Sequence, residues 1–173
     1  SGELNSPYEL VYLNNFENAS GQYDFDCICP DLDYSGTGTT TSGSGGCANF
    51  YRTNSYSYYA YEENDGDYCL RFTSDSYDGY IYLDEAPIAV VGGNYAVSFS
   101  FEVDLMYRDC FLSVEVPNGE GWETVWSSAP DLDQFQYEHT HLAYFEKHYQ
   151  PGEEIIFRIK NDIANTNSDY NAS

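Results

Sequence analysis

The sequence predicts an all-β chain, two antiparallel sheets packed as a β-sandwich or jelly roll. Three observations carry this: short segments rich in β-formers recur along the chain, several of them alternate apolar and polar residues, and glycine or proline turns separate them. In order, the predicted strands are residues 8–13 (YELVYL), 67–73 (DYCLRFT), 79–83 (GYIYL), 94–103 (NYAVSFSFEV), 110–116 (CFLSVEV), 122–127 (WETVWS) and 154–160 (EIIFRIK). In the longest, Val97, Phe99, Phe101 and Val103 point one way and Ser98, Ser100 and Glu102 the other. Turns are expected at Gly92-Gly93-Asn94, Pro117-Asn118-Gly119 and Pro151-Gly152. Residues 135–150 are the only helical candidate, with an equivocal pattern. A Gly/Ser/Thr tract at 35–46 contains no hydrophobic residue and reads as a long loop, free or tied down by an ion.

A length of 173 residues suits one domain spanning 1–173. A hydrophobic content of 42% excludes wholesale disorder, although 29 acidic against 6 basic residues leave a net charge of −23. Nucleic acid is excluded as a partner, since phosphate binding needs Lys and Arg. Hard cations are the natural companions of so negative a field. No apolar run approaches the roughly 20 residues that span a bilayer, so membrane insertion is not expected. The opening residues lack the basic and apolar regions of a signal peptide and read as a mature N-terminus or an expression boundary.

Nineteen tyrosines, two tryptophans and ten phenylalanines are the other compositional signal. Many tyrosines stand in polar company, as in residues 54–61 (NSYSYYAY) and 76–82 (SYDGYIY). Tyrosine combines a flat apolar face with a hydroxyl that tolerates water, which matches the C–H faces and hydroxyl rims of a sugar. Such residues also fill strand positions without any ligand. Trp122 and Trp126, four apart, are expected on the same face of a strand, as an aromatic platform or as core. Tyr58, Tyr59 and Tyr61 make a second candidate surface.

Other motifs are less specific. The five cysteines, Cys27, Cys29, Cys47, Cys69 and Cys110, leave at least one thiol over if disulfides form, and no CxxC pair accompanies them. Asp31, Asp33, Ser35 and Gly36 meet positions 1, 3, 5 and 6 of a calcium loop, but Ser42 stands where a bidentate acid belongs. Glu102 and Asp104 share a predicted strand face, yet Tyr107 occupies the place of a glycosidase's second acid. His139 and His141 are a possible metal pair without a third ligand.

Two segments resemble the extracellular jelly-roll modules attached to polysaccharide-degrading enzymes and bacterial adhesins. Residues 10–18 (LVYLNNFEN) are similar to their N-x-F-E-[ND]-G opening, and residues 141–160 to their penultimate turn and strand. The resemblance implies a structural calcium held in part by Glu17; Asp31, Asp33 and Asp162 are candidate ligands by charge and loop position. Those modules finish on a strand carrying I-D-D, whereas this sequence stops at Asp169-Tyr170-Asn171-Ala172-Ser173 before any such strand. Either a final strand has been cut away, or a neighbouring strand or chain fills the gap.

The expectation is a non-catalytic, secreted or cell-surface module that binds a polysaccharide or glycan. A second reading is a subunit of a surface filament or sheath that self-assembles through an open sheet edge, with residues 1–6 or 10–13 as donor strand. A glycoside hydrolase is the third.

Overall fold

The computed structural model describes residues 9–14, 25–29, 34–37, 49–53, 69–73, 79–102, 110–128 and 140–163. Among these the chain is all-β, with no helix, and every pairing is antiparallel. The strands are β1 (Phe25–Cys29), β2 (Tyr34–Thr37), β3 (Asn49–Thr53), β4 (Cys69–Thr73), β5 (Gly79–Leu83), β6 (Ile88–Ala89), β7 (Gly93–Glu102), β8 (Cys110–Asn118), β9 (Gly121–Ser127), β10 (Thr140–Tyr149), β11 (Glu153–Glu154) and β12 (Arg158–Ile163). Six of them form one sheet in the order β2-β1-β5-β12-β8-β9. The rest pair as β10-β7, β11-β6 and β3-β4. No helix among the described residues is long and apolar enough to cross a membrane.

The register of the large sheet sorts its side chains into two faces, because directly opposed residues on antiparallel strands share a face. One row runs Ile81–Ile159–Val114–Trp126 across four strands. Ile81, Ile159 and Val114 are buried, and Phe25, Leu83, Val116 and Phe157 extend the same core. The β7–β10 ribbon contributes to that core from its own inner face, where Val97 opposes Phe145 and Phe99 opposes Ala143. Edge-on ring contacts fill the interior, Phe145 to Phe157 at 6.0 Å and Phe101 to Trp126 at 5.5 Å. A smaller cluster of Ala89, Tyr149 and Ile155 continues it beneath β6 and β11.

Strands 79–83 and 94–103 form nearly as predicted, and the serines of β7 face away from the core as their alternation requires. Turns form at Gly119 (φ +64°) and Gly152 (φ +82°), where the left-handed backbone favours glycine.

Four expectations are corrected. Residues 140–149 are not helix but strand, paired with β7 over their whole length. Ala143, Phe145 and Tyr149 are buried while Leu142, Tyr144 and Glu146 are exposed, a period of two; residues 135–139 lie outside the described set. The Gly/Ser/Thr tract is not all loop, since Tyr34–Thr37 pairs with β1 at the sheet edge. Ladder hydrogen bonds come from the backbone, so residues 35–37 can pair there without any apolar side chain. Residues 9–13 join no strand. Leu10 and Leu13 are 72% and 73% exposed, so local β-propensity alone does not make this segment a strand. Finally, residues 154–160 are not one strand: β11 and β12 are separated by Ile155, Ile156 and Phe157.

Candidate ligand-binding face

The two tryptophans do not share a face. Val114 opposes Trp126 but Glu115 opposes Thr124, so β9 carries one extra residue, Val125, against β8. This β-bulge breaks the two-residue period. Val125 and Trp126 both pack on the core, whereas Trp122 stands on the opposite side of the sheet. The platform expected from a spacing of four is therefore not formed by this pair.

Trp122 instead joins a face built from four other strands. One outer row runs Asp26–Tyr82–Arg158–Glu115–Thr124, and the next runs Ile28–Tyr80–Lys160–Ser113–Ser127. At the centre, the Arg158 guanidinium carbon lies 3.9 Å from the Tyr80 ring centroid and 4.0 Å from that of Trp122. Arg158 Nε donates to Glu115 Oε1 at 2.7 Å. The Lys160 ammonium is 5.8 Å from the Tyr80 ring. Each such cation–ring contact contributes on the order of 0.5–2 kcal/mol, the upper end where water is displaced. Tyr80, Tyr82, Arg158, Lys160 and Glu115 are half-buried and Trp122 is 41% exposed, so the tryptophan presents the widest accessible ring.

A carboxyl pair closes one end of the face. Asp26 has its carboxyl pushed up to about 6, first by burial and then by the hydrogen bond and negative charge of Asp84. Along the same row, Asp26 and Glu115 are three strand spacings apart, about 14 Å. The acid pair of a glycosidase spans roughly 5–10 Å.

The remaining predicted site residues fare differently. Tyr58, Tyr59, Tyr61, Glu17, Asp31, Asp33, Cys47, Asp104, Tyr107 and His139 lie outside the described residues. Asp162 sits in β12 opposite Phe111. Among the described residues no group of three or more His, Cys, Asp or Glu gathers to hold a metal. Tyr80, Tyr82, Glu115, Arg158 and Lys160 were not singled out as site residues. Their signal in the sequence was the alternation of Tyr80-Ile81-Tyr82 and Arg158-Ile159-Lys160, each with a core isoleucine between two large polar-tipped side chains.

Comparison with known proteins yields no match: no family model, no curated protein and no solved structure matches this chain.

Proposed function

We propose that the chain is a non-catalytic, secreted or cell-surface carbohydrate-binding module with the two-sheet architecture of a jelly-roll sandwich. The observation that carries this reading is the outer face of the six-stranded sheet, where Tyr80, Tyr82 and Trp122 interleave with Arg158, Glu115 and Lys160. Aromatic faces suit the C–H surfaces of a pyranose, and fixed charged groups suit its hydroxyls. The resemblance of residues 10–18 and 141–160 to such modules supports the same reading. Affinity electrophoresis against plant, bacterial and host polysaccharides, with wild type and Trp122→Ala, is the test. Binding by wild type that Trp122→Ala abolishes is the expected result; uniform non-binding, with and without calcium, sinks the reading.

A structural calcium at Glu17, Asp31, Asp33 and Asp162 belongs to this proposal through the resemblance and the acid excess. A ligand that binds only the folded form at about 100 times its Kd adds about 2.7 kcal/mol. Melting should therefore shift upward in millimolar calcium relative to sodium chloride of matched ionic strength; equal melting in EDTA, sodium chloride and calcium removes the ion.

One observation favours a second reading, the self-assembling surface subunit. Residues 9–14 are rich in β-formers yet belong to no strand, and Leu10, Val11 and Leu13 are exposed, the apolar side chains that a strand donated to another copy would bury on docking. A monodisperse monomer by size-exclusion chromatography at high concentration, in calcium, counts against it.

A further inference from the structure

Arg158 is held more firmly than a neutral sugar requires. Its guanidinium has a ring against it at about van der Waals distance on two sides, Tyr80 at 3.9 Å and Trp122 at 4.0 Å, and its Nε–H is taken by Glu115 at 2.7 Å. Arginine carries five N–H donors, so four remain on the two terminal nitrogens. None of those four meets an acceptor among the described residues, although the side chain is only 18% exposed. Donors on a charged group drawn this far out of water are normally matched, and leaving them unmatched is destabilising. A planar fork fixed in orientation is the geometry that receives the two oxygens of a carboxylate.

The distribution of cations points the same way. The chain has six basic side chains among 173 residues, and Arg158 and Lys160 stand side by side on this one face, both within reach of the Tyr80 ring. A net charge of −23 repels an anion at long range, but that field is screened over about 8–10 Å at physiological salt. A contact made directly with a preorganised guanidinium is short-range and outlasts the screening.

We infer that the ligand of this face is an acidic sugar, a uronic-acid unit of a polysaccharide whose carboxylate docks on the terminal nitrogens of Arg158 while its ring lies against Trp122. The inference rests on the carbohydrate-binding reading and names the sugar class. Calorimetric titration tests it with oligomers of galacturonate, mannuronate and glucuronate, each against its own carboxyl methyl ester. Neutral cello-, xylo- and manno-oligomers and dextran sulfate complete the set. At least one uronate oligomer should bind about tenfold or more tightly than its ester. Arg158→Lys, which keeps the charge but loses the fork, should erase that gap. Trp122→Ala should weaken acid and ester alike. The acid–ester comparison uses wild-type protein alone, so it stands even if a variant misfolds. Equal affinity for every acid and ester, or binding of dextran sulfate only, overturns the uronate assignment. Binding of neutral oligomers without preference for any acid overturns it and leaves the carbohydrate-binding reading intact; binding of no glycan at all overturns both.

Discussion

The two faces of the six-stranded sheet use the same strands for different ends. On the inner face, Ile81, Ile159 and Val114 stand in one row under the β7–β10 ribbon, and their position follows from burial alone. One residue along each strand, the outer face carries Tyr82 or Tyr80, Arg158 and Glu115, held by ring contacts and one ion pair. Aliphatic packing satisfies itself, whereas the outer arrangement leaves the terminal nitrogens of Arg158 without an acceptor among the described residues and Trp122 41% exposed. That asymmetry is what supports our proposal of a ligand site on the outer face.

The largest test of the contrast is a pair of truncations. Phe145→Ala removes a ring that is buried and in contact with Phe157, and should lower stability by about 3–5 kcal/mol. Trp122→Ala deletes a larger ring from the outer face and should change stability by no more than about 1 kcal/mol while abolishing glycan binding. Urea unfolding of both variants reads this, and comparable losses would mean that the outer face is core after all. Next, Glu115→Ala strips Arg158 of its only ion-pair partner among the described residues and should be destabilising by about 1–3 kcal/mol, measured by the same unfolding curves.

Tyr149 tests the inner layer from the opposite direction. Its hydroxyl is buried and makes no hydrogen bond among the described residues, and burial together with the Glu153 charge raises its pKa. Tyr149→Phe should therefore leave stability unchanged or raise it by about 1 kcal/mol, and a clear loss in urea would reveal a buried water as its partner.

The smallest effect is electrostatic. Asp26 has a folded-state pKa of about 6, above the roughly 4 of an unfolded aspartate. Between those values the folded chain binds more protons than the unfolded one, so this group's contribution falls as pH rises through that window and is fully unfavourable above it. Asp26→Asn should raise the melting temperature at pH 7, by less than about 1 kcal/mol equivalent because solvent at the exposed Asp84 screens the pair, and the gain should vanish below about pH 4.

Legibility followed the rule of two. Residues 93–102 declared themselves because large apolar side chains at Tyr95, Val97, Phe99 and Phe101 alternate with small ones at Ala96, Ser98 and Ser100. Residues 140–149 did not, because Lys147 takes an inward register opposite Tyr95 and interrupts the apolar series; its ammonium rests 5.0 Å from the Tyr149 ring. Tyr34–Thr37 was hidden because an edge strand needs only backbone partners. The candidate site was legible in its residue types but not in its membership. Tyr80, Trp122 and Arg158 come from three strands far apart in sequence, and only the register brings them within 4 Å of one another's charge and rings. The bulge in β9 was invisible for the same reason, since a bulge is a relation between two strands and not a property of one.

That bulge gives β9 a tolerance of length that a regular strand lacks. Trp122 and Trp126 are an even number of residues apart, and Val125 converts that even count to an odd one in space. Deleting Val125 would straighten the strand and leave the indoles three positions apart, still on opposite faces. Trp126 would keep its place beside Phe101, and Trp122 its place against Arg158. A single codon lost at this position should thus be absorbed, whereas one lost from a strand without a bulge turns every side chain beyond it to the other face.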